Sequence, residues 1–343
     1  MTTKPRLAII GLVHGHIHWL TRKLDFYLEA FDLVGIAEAD KSLIEKYIAE
    51  TSLPEELFFS DAETMLEQTR PEGVAVFTHT FDHLSAVQLC APRGIHIMVE
   101  KPFAVSLEHA TEMAELAKRH QVQLITNYET SWYATTHQAY KRIIEDGQLG
   151  ALHKLVVHDG HKGPKEIGCS PEFLNWLLDP VLNGGGALMD FGCYGVNLMT
   201  WLMGNQKPLS VTAVTSQIKD DPAYRKVDDD ATIILTYSKA QALVQGSWNW
   251  PIGRKDMELY GQKGYLYAHD ATRLSSRLAG AEEVKETLEP LATPERDPFL
   301  CLAAVVRDKY QPSALWSIEN NLIVVEVLDA ARKSAQTGQA IKL

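Results

Sequence analysis

The sequence is short of positive charge, of paired cysteines and of long apolar runs, and each shortage removes a class of function. Its 343 residues carry 33 Lys and Arg against 44 Asp and Glu, a formal charge of -11. No basic cluster breaks that balance, so no nucleic-acid partner is expected, because such binding needs a basic face that releases counterions. The four cysteines, Cys90, Cys169, Cys193 and Cys301, stand far apart with no C-x-x-C. They read as buried apolar residues or free thiols in a reducing compartment, not as a disulfide framework. No stretch approaches the roughly 20 apolar residues of a membrane span. Met1 to Arg6 runs straight into the strand-like Leu7 to Ile10, which leaves no room for a signal peptide. The expectation is a soluble, cytoplasmic protein with no membrane partner. With 45% hydrophobic and 22% charged residues, the chain can bury a core, and its length suits two domains.

Up to about residue 126, short apolar runs alternate with helical periodicity. Leu7 to Ile10, Leu33 to Ala37, Val74 to Phe77, Ile95 to Val99 and Val122 to Thr126 are strand candidates. Ser106 to His120 between them carries Leu107, Ala110, Met113, Ala114 and Ala117 near a 3.6 period. Continuous Val/Ile-rich strands imply burial on both faces, hence a doubly wound parallel sheet covered by helices. From about residue 151 strands dominate: Leu152 to His158, Val211 to Ile218, Ala231 to Tyr237, Ala242 to Trp248, Asp256 to Tyr260 and Tyr265 to Ala268. Short links favour a mainly antiparallel sheet there. A last helix, Ser317 to Gln336, stops at Gly338. The predicted architecture is α/β, with domains at 1–126 and 127–343, the second an α+β unit with an open-faced sheet.

A strand ending at Gly11 and followed by Leu12-Val13-His14-Gly15-His16 is where a dinucleotide fold turns backbone amides toward a pyrophosphate. Only the first glycine of G-x-G-x-x-G remains, which leaves a plain strand-to-helix turn as the other reading. Glu38, after the second strand, can accept ribose hydroxyls and repel a 2'-phosphate, favouring NAD over NADP, with Lys41 near enough to soften the preference. His14, His16, His18, His79 and His83 invite a metal. The spacing crosses a loop and a helix start, and no carboxylate is close in sequence, so no metal is expected. Asp228-Asp229-Asp230 reads as a solvated turn.

Glu100-Lys101-Pro102 places a lysine at the carboxyl end of a parallel strand, where open α/β sheets bind ligands. A strand-end lysine is by default a solvent-facing charge. Here, partial burial and a cationic cofactor ring would disfavour the ammonium, and the amine could exchange a hydroxyl proton. Gly184-Gly185-Gly186 opens an almost wholly apolar helix from Ala187 to Met203, which should be buried. Asp190, Tyr194 and Asn197 form a polar stripe on it, either a site wall or a hydrogen-bond network to the sheet. Trp248, Trp250, Arg254 and Lys255 can reach a carbohydrate, or serve as core and interface.

These residues together resemble the Gfo/Idh/MocA oxidoreductases over nearly the whole chain. The likeness lies in Gly11, Glu38, Thr78-x-x-x-x-His83, Glu100-Lys101-Pro102, Asn127, Gly147-Gln148-Leu149-Gly150 and the run from Gly184 to Tyr194. It implies an NAD-binding Rossmann domain followed by an open-faced sheet that carries substrate residues and builds a homodimer or homotetramer. By that likeness Lys101 is catalytic, with Asp190 and Tyr194. Gly11, Val13, His14, Gly15, His16, Glu38, Thr78, His83, Glu100 and Lys101 would hold NAD or NADP, and Asn127 and Asn197 the substrate, to which the stacking face of Trp248 is added as a substrate contact. The chain departs from the family pattern at Tyr194, where many members have histidine, and at Asn197, where they have aspartate. It also departs at His79, at Val13, and at Glu129 and Leu177, near which arginines are common. The implied activity is hydride transfer between the nicotinamide and a secondary alcohol of a sugar, inositol or related polyol. A regulatory NAD- or sugar-binding protein and a redox-neutral enzyme with tightly held NAD are the alternatives.

Overall fold

A computed structural model describes residues 4–51, 53–308 and 310–343. The first sheet has six parallel strands: β1 (Arg6–Ile10), β2 (Asp32–Ala37), β3 (Phe58–Phe59), β4 (Gly73–Val76), β5 (His96–Glu100) and β6 (Leu124–Asn127). Their order is β3-β2-β1-β4-β5-β6, so the winding reverses between β1 and β4. Ligands of open α/β sheets bind outside the carboxyl ends of strands at such a switch point. β4 is buried along its whole length, as expected of a strand covered on both faces. The periodic segment after β5 forms the helix Leu107–His120, whose N-cap Ser106 accepts the His109 amide at 3.3 Å.

The second sheet contains β7 (Leu152–Gly160), β8 (Ser210–Ser216), β9 (Asp230–Thr236), β10 (Gln241–Ser247), β11 (Arg254–Gly261), β12 (Gly264–Ala268), β13 (Arg273–Leu278), β14 (Val284–Thr287) and β15 (Ile341–Lys342). They run in the order β14-β13-β12-β11-β7-β10-β9-β8-β15, antiparallel except for β7 beside β10. β9 alternates strictly between half-buried and buried residues, the signature of a sheet with one covered and one open face. The buried helix Gly192–Leu202 and the helix Ile318–Thr337 cover it. β13, β14 and β15 escape the sequence pattern because they are short or polar strands at the sheet margins, as is β3 in the first sheet.

Three expectations are corrected. The helix predicted from Ala187 to Met203 is two helices, Ala187–Asp190 and Gly192–Leu202, interrupted at Phe191 (φ -106°, ψ -33°). The run Asp228-Asp229-Asp230 is not a solvated turn. Asp228 accepts the amides of Gly186 and Leu188 at 3.0 and 2.7 Å, and the fully buried Asp229 accepts those of Ile218 and Lys219 at 2.8 Å. Both carboxylates satisfy backbone donors that would otherwise be orphaned. The chain after 127 also does not stay with the second sheet. The helix Pro298–Asp308 returns to β4 and β5 of the first, where Phe299 lies 6.0 Å from Phe77 and 5.0 Å from Tyr27. Among the described residues no helix is long and apolar enough to cross a membrane.

Candidate active site

The carboxyl end of β5 delivers Lys101 into the seam between the two sheets, where it is only 4% exposed. Its ammonium contacts an Asp190 carboxylate oxygen and donates to the Asp190 carbonyl at 3.3 Å. The other Asp190 carboxylate oxygen accepts the Trp248 indole N–H at 2.9 Å. Tyr194 follows one turn later, its ring centre 5.3 Å from the Lys101 Nζ. The structure thus brings Lys101, Asp190 and Tyr194 together from segments about ninety residues apart in the chain. Burial alone would lower the Lys101 pKa, but the adjacent Asp190 carboxylate outweighs it and the net direction is upward. The ammonium is therefore held, not discouraged as its burial suggested. Burial pushes the Tyr194 phenol well above its usual range.

A second pair faces the same cleft, a space of about 440 Å³. Lys255, from β11, binds Glu129 Oε2 at 2.5 Å and lies 4.3 Å from the Tyr194 ring centre. Burial opposes the Glu129 charge, yet Lys255 and the Tyr133 hydroxyl at 2.7 Å hold its pKa down to about 2. His161 also lines the cleft, and burial lowers its imidazole to about 4. Glu129 and His161 were not read as site residues. Each sits just beyond a strand end, in no motif, and only the convergence of strands from two sheets reveals them.

Around the first loop, hydrogen bonds tie β1, β5 and β6 together. Trp132 Nε1 donates to Asn127 Oδ1 at 2.8 Å, Asn127 Nδ2 donates to Glu100 Oε1 at 2.7 Å, and Glu100 Oε2 lies 2.8 Å from His16 Nδ1. His16 stacks on Trp19 with ring centres 4.1 Å apart. Glu38 accepts the Leu12 amide at 2.9 Å. Gly11 has φ +85°, and a Cβ there would come within 2.7 Å of Thr78, so this close approach of two loops requires glycine. A carboxylate at the end of β2, beside a glycine turn at the switch point, is the donor and acceptor set that a dinucleotide's ribose and pyrophosphate need. These residues fit that cofactor.

Not every predicted residue reaches the cleft. Asn197 Nδ2 donates to Leu315 O at 2.8 Å, on the side of the helix toward residues 314–320. Trp248 is fully buried behind Asp190, and Asn127 behind Glu100. His83 donates from Nδ1 to Phe103 O at 3.1 Å and props the loop that follows Lys101. His14 packs among Phe77, Phe173 and Trp176, while the Val13 carbonyl accepts the Trp176 indole N–H at 3.2 Å. A carboxylate does approach the loop histidines, although none is near in sequence: His14, His16 and Glu100 hold three ligand atoms within 4.8 Å of one another. His14 Nδ1, however, accepts the His16 amide at 3.2 Å. Neutral imidazole then carries its proton on Nε2, turning a donor toward Glu100 instead of a lone pair.

Comparison with known proteins agrees with this geometry. Residues 6–128 match the family described as "Oxidoreductase family, NAD-binding Rossmann fold", and residues 137–267 match "GFO/IDH/MocA C-terminal domain". The chain is 22% identical over 315 residues to trans-1,2-dihydrobenzene-1,2-diol dehydrogenase of Sus scrofa, covering 88% of each. It is 23% identical over 319 residues to D-xylose 1-dehydrogenase (NADP(+)) 2 of Haloferax volcanii, covering 91% of this chain and 92% of that one. In fold it is similar to an inositol dehydrogenase homolog from Azotobacter vinelandii solved with NAD+, with a TM-score of 0.83 and 18% identity over 99% of this chain and 98% of that one. A nucleotide-type sheet with its switch point, a lysine and aspartate meeting at its edge, and both domain matches lead to one conclusion: this chain belongs to the Gfo/Idh/MocA oxidoreductases, with their NAD-binding Rossmann domain at its N-terminus.

Proposed function

We propose that the protein is an NAD-dependent dehydrogenase acting on a secondary alcohol of a sugar, inositol or related polyol. The observation that carries the reading is the meeting of Lys101, Asp190 and Tyr194 at the carboxyl edge of the parallel sheet. The relatives named for a diol and for xylose support the substrate class. Bound NAD supplies a hydride acceptor or, when reduced, a hydride donor; proton handling falls to the chain. Lys101 Nζ holds the proton that a carbonyl oxygen needs on reduction, and takes the hydroxyl proton on oxidation once it is itself deprotonated. Asp190 fixes that nitrogen through its carboxylate and carbonyl, and Trp248 keeps the carboxylate from turning away. Tyr194 closes the site beneath the ammonium, and its neutral phenol can donate to the substrate oxygen. Glu38 favours NAD by repelling a 2'-phosphate.

The test is absorbance of the reduced nicotinamide while NAD is offered with a panel of polyols and sugars. Turnover is expected with at least one of them, and Lys101→Met should cut it by a factor of about 10² to 10⁴ while NAD binding persists. Saturable NAD binding with no turnover across the panel would instead identify a sensor. The open face of the second sheet exposes Val214 at 64% and leaves Ile234 and Leu243 half covered. We assign it to contact with a second copy of the chain. Sedimentation should show a dimer or tetramer that Leu243→Asp dissociates, and a wild-type monomer would sink the assignment.

A further inference from the structure

Two ion pairs, not one, face the cleft, and they meet on the same aromatic ring. Lys101 with Asp190 lies 5.3 Å from the Tyr194 ring centre, and Lys255 with Glu129 lies 4.3 Å from it. Both ammonium groups therefore lie within reach of one phenol ring. The second pair is partly open, with the Lys255 side chain 20% exposed and that of Glu129 36%. It is braced from behind. Tyr133 O–H donates to Glu129 Oε1 at 2.7 Å, and the fully buried Asp159 places a carboxylate oxygen 4.0 Å from Lys255 Nζ. A half-buried ion pair of this kind is a poor source of stability, since desolvation offsets the attraction. Its placement points to recognition.

Resting on the dehydrogenase reading above, we propose that Glu129 and Lys255 bind a hydroxyl neighbouring the reacting carbinol, and so select uncharged vicinal diols. An ammonium offers only donors and a carboxylate only acceptors. Side by side they match a diol in which one hydroxyl donates to Glu129 while its neighbour or its own oxygen accepts from Lys255. A mono-alcohol sets an apolar ring edge against the Glu129–Lys255 pair, displacing water and returning no hydrogen bond, which is the condition under which a polar site discriminates. A hydroxy acid brings its carboxylate against Glu129. Beside Tyr194 both ammonium groups already face carboxylates, Lys101 that of Asp190 and Lys255 those of Glu129 and Asp159, while Arg22, which also lines the cleft, is solvent-exposed.

The experiment uses three probes on one ring: trans-cyclohexane-1,2-diol, cyclohexanol and trans-2-hydroxycyclohexanecarboxylate. Their binding to the full chain saturated with NADH is measured calorimetrically, beside steady-state kinetics with NAD. The wild type should bind the diol at least about tenfold tighter than either other probe. Lys255→Met should erase that advantage by raising KM while kcat changes little, and Glu129→Gln should improve binding of the hydroxy acid. Should a single substitution leave an unmatched charge that unfolds the protein, the double variant Glu129→Gln/Lys255→Met removes both and must likewise lose the diol preference. Equal binding of diol and mono-alcohol, no binding of the diol, or a preference that survives in the double variant overturns the proposal. Lys101→Met keeps the two ideas apart: it should cut turnover by about 10² to 10⁴ yet retain the diol preference in binding.

Discussion

An ammonium clamped between a carboxylate and a carbonyl cannot accept a proton until it has lost one, and Lys101 is clamped by Asp190 in this way. The sign of the pH dependence follows. Asp190 raises the Lys101 pKa against the effect of burial, so the amine form, and with it alcohol oxidation, gains as pH rises. In Asp190→Asn burial loses its main opponent, and the rising limb of kcat/KM for oxidation should move to lower pH even as the rate falls. A limb that stays in place would remove Lys101 as the titrating group. For Glu38→Ser, the ratio of kcat/KM for NAD over NADP should fall at least about tenfold, a change of roughly 1.4 kcal/mol. An unchanged ratio would end the role given to Glu38. Lys101 stood out in the sequence because motif and strand end coincide, and Asp190 because it is a lone carboxylate on an apolar helix. Asn197 was misplaced because a helical stripe says nothing about depth along the axis. At about 1.5 Å per residue it lies some 4.5 Å beyond Tyr194, where Leu315 offers its carbonyl.

The element that joins chemistry to scaffold is the helix Gly192–Leu202, buried at every position. A helix that is apolar nearly all round must be enclosed, so its burial was readable from composition. The break at Phe191 was not, since the turn before it is held by Asp228, which reaches in from the distant segment that precedes β9. Gly195 lets the helix settle on β10, because a Cβ there would come within 2.4 Å of Val244 Cγ1. Gly195→Ala should cost about 1 to 3 kcal/mol through overpacking, read as a lower thermal midpoint. Val244→Ala in the same chain should recover part of the loss. Additive destabilisation by the two changes would show that they do not share a contact.

Across the whole molecule, buried neutral imidazoles set a lower limit on the pH of stability. Burial holds His83 down to about 4 and His14 well below its ordinary 6.5. The unfolded chain therefore takes up protons first as pH falls below about 6.5, and stability declines from there toward pH 4. Each such group contributes a slope of at most about 1.4 kcal/mol per pH unit. Thermal midpoints should drop between pH 7 and 5, and His83→Gln should flatten the decline; an identical slope would assign it to other groups. The two-sheet plan was legible because period-2 and period-3.6 patterns fill long segments. The return of the chain to its own beginning was not. The helix Pro298–Asp308 seats Val306 and Leu302 against Gly73 so closely that a Cβ there would lie 2.9 Å from Val306, and Arg332 reaches the Val105 carbonyl at 2.9 Å. During translation the nucleotide-binding half therefore leaves the ribosome with one flank bare, awaiting a cover supplied by the much later residues 298–308. Prematurely terminated products should stick to chaperones or to one another instead of folding on their own.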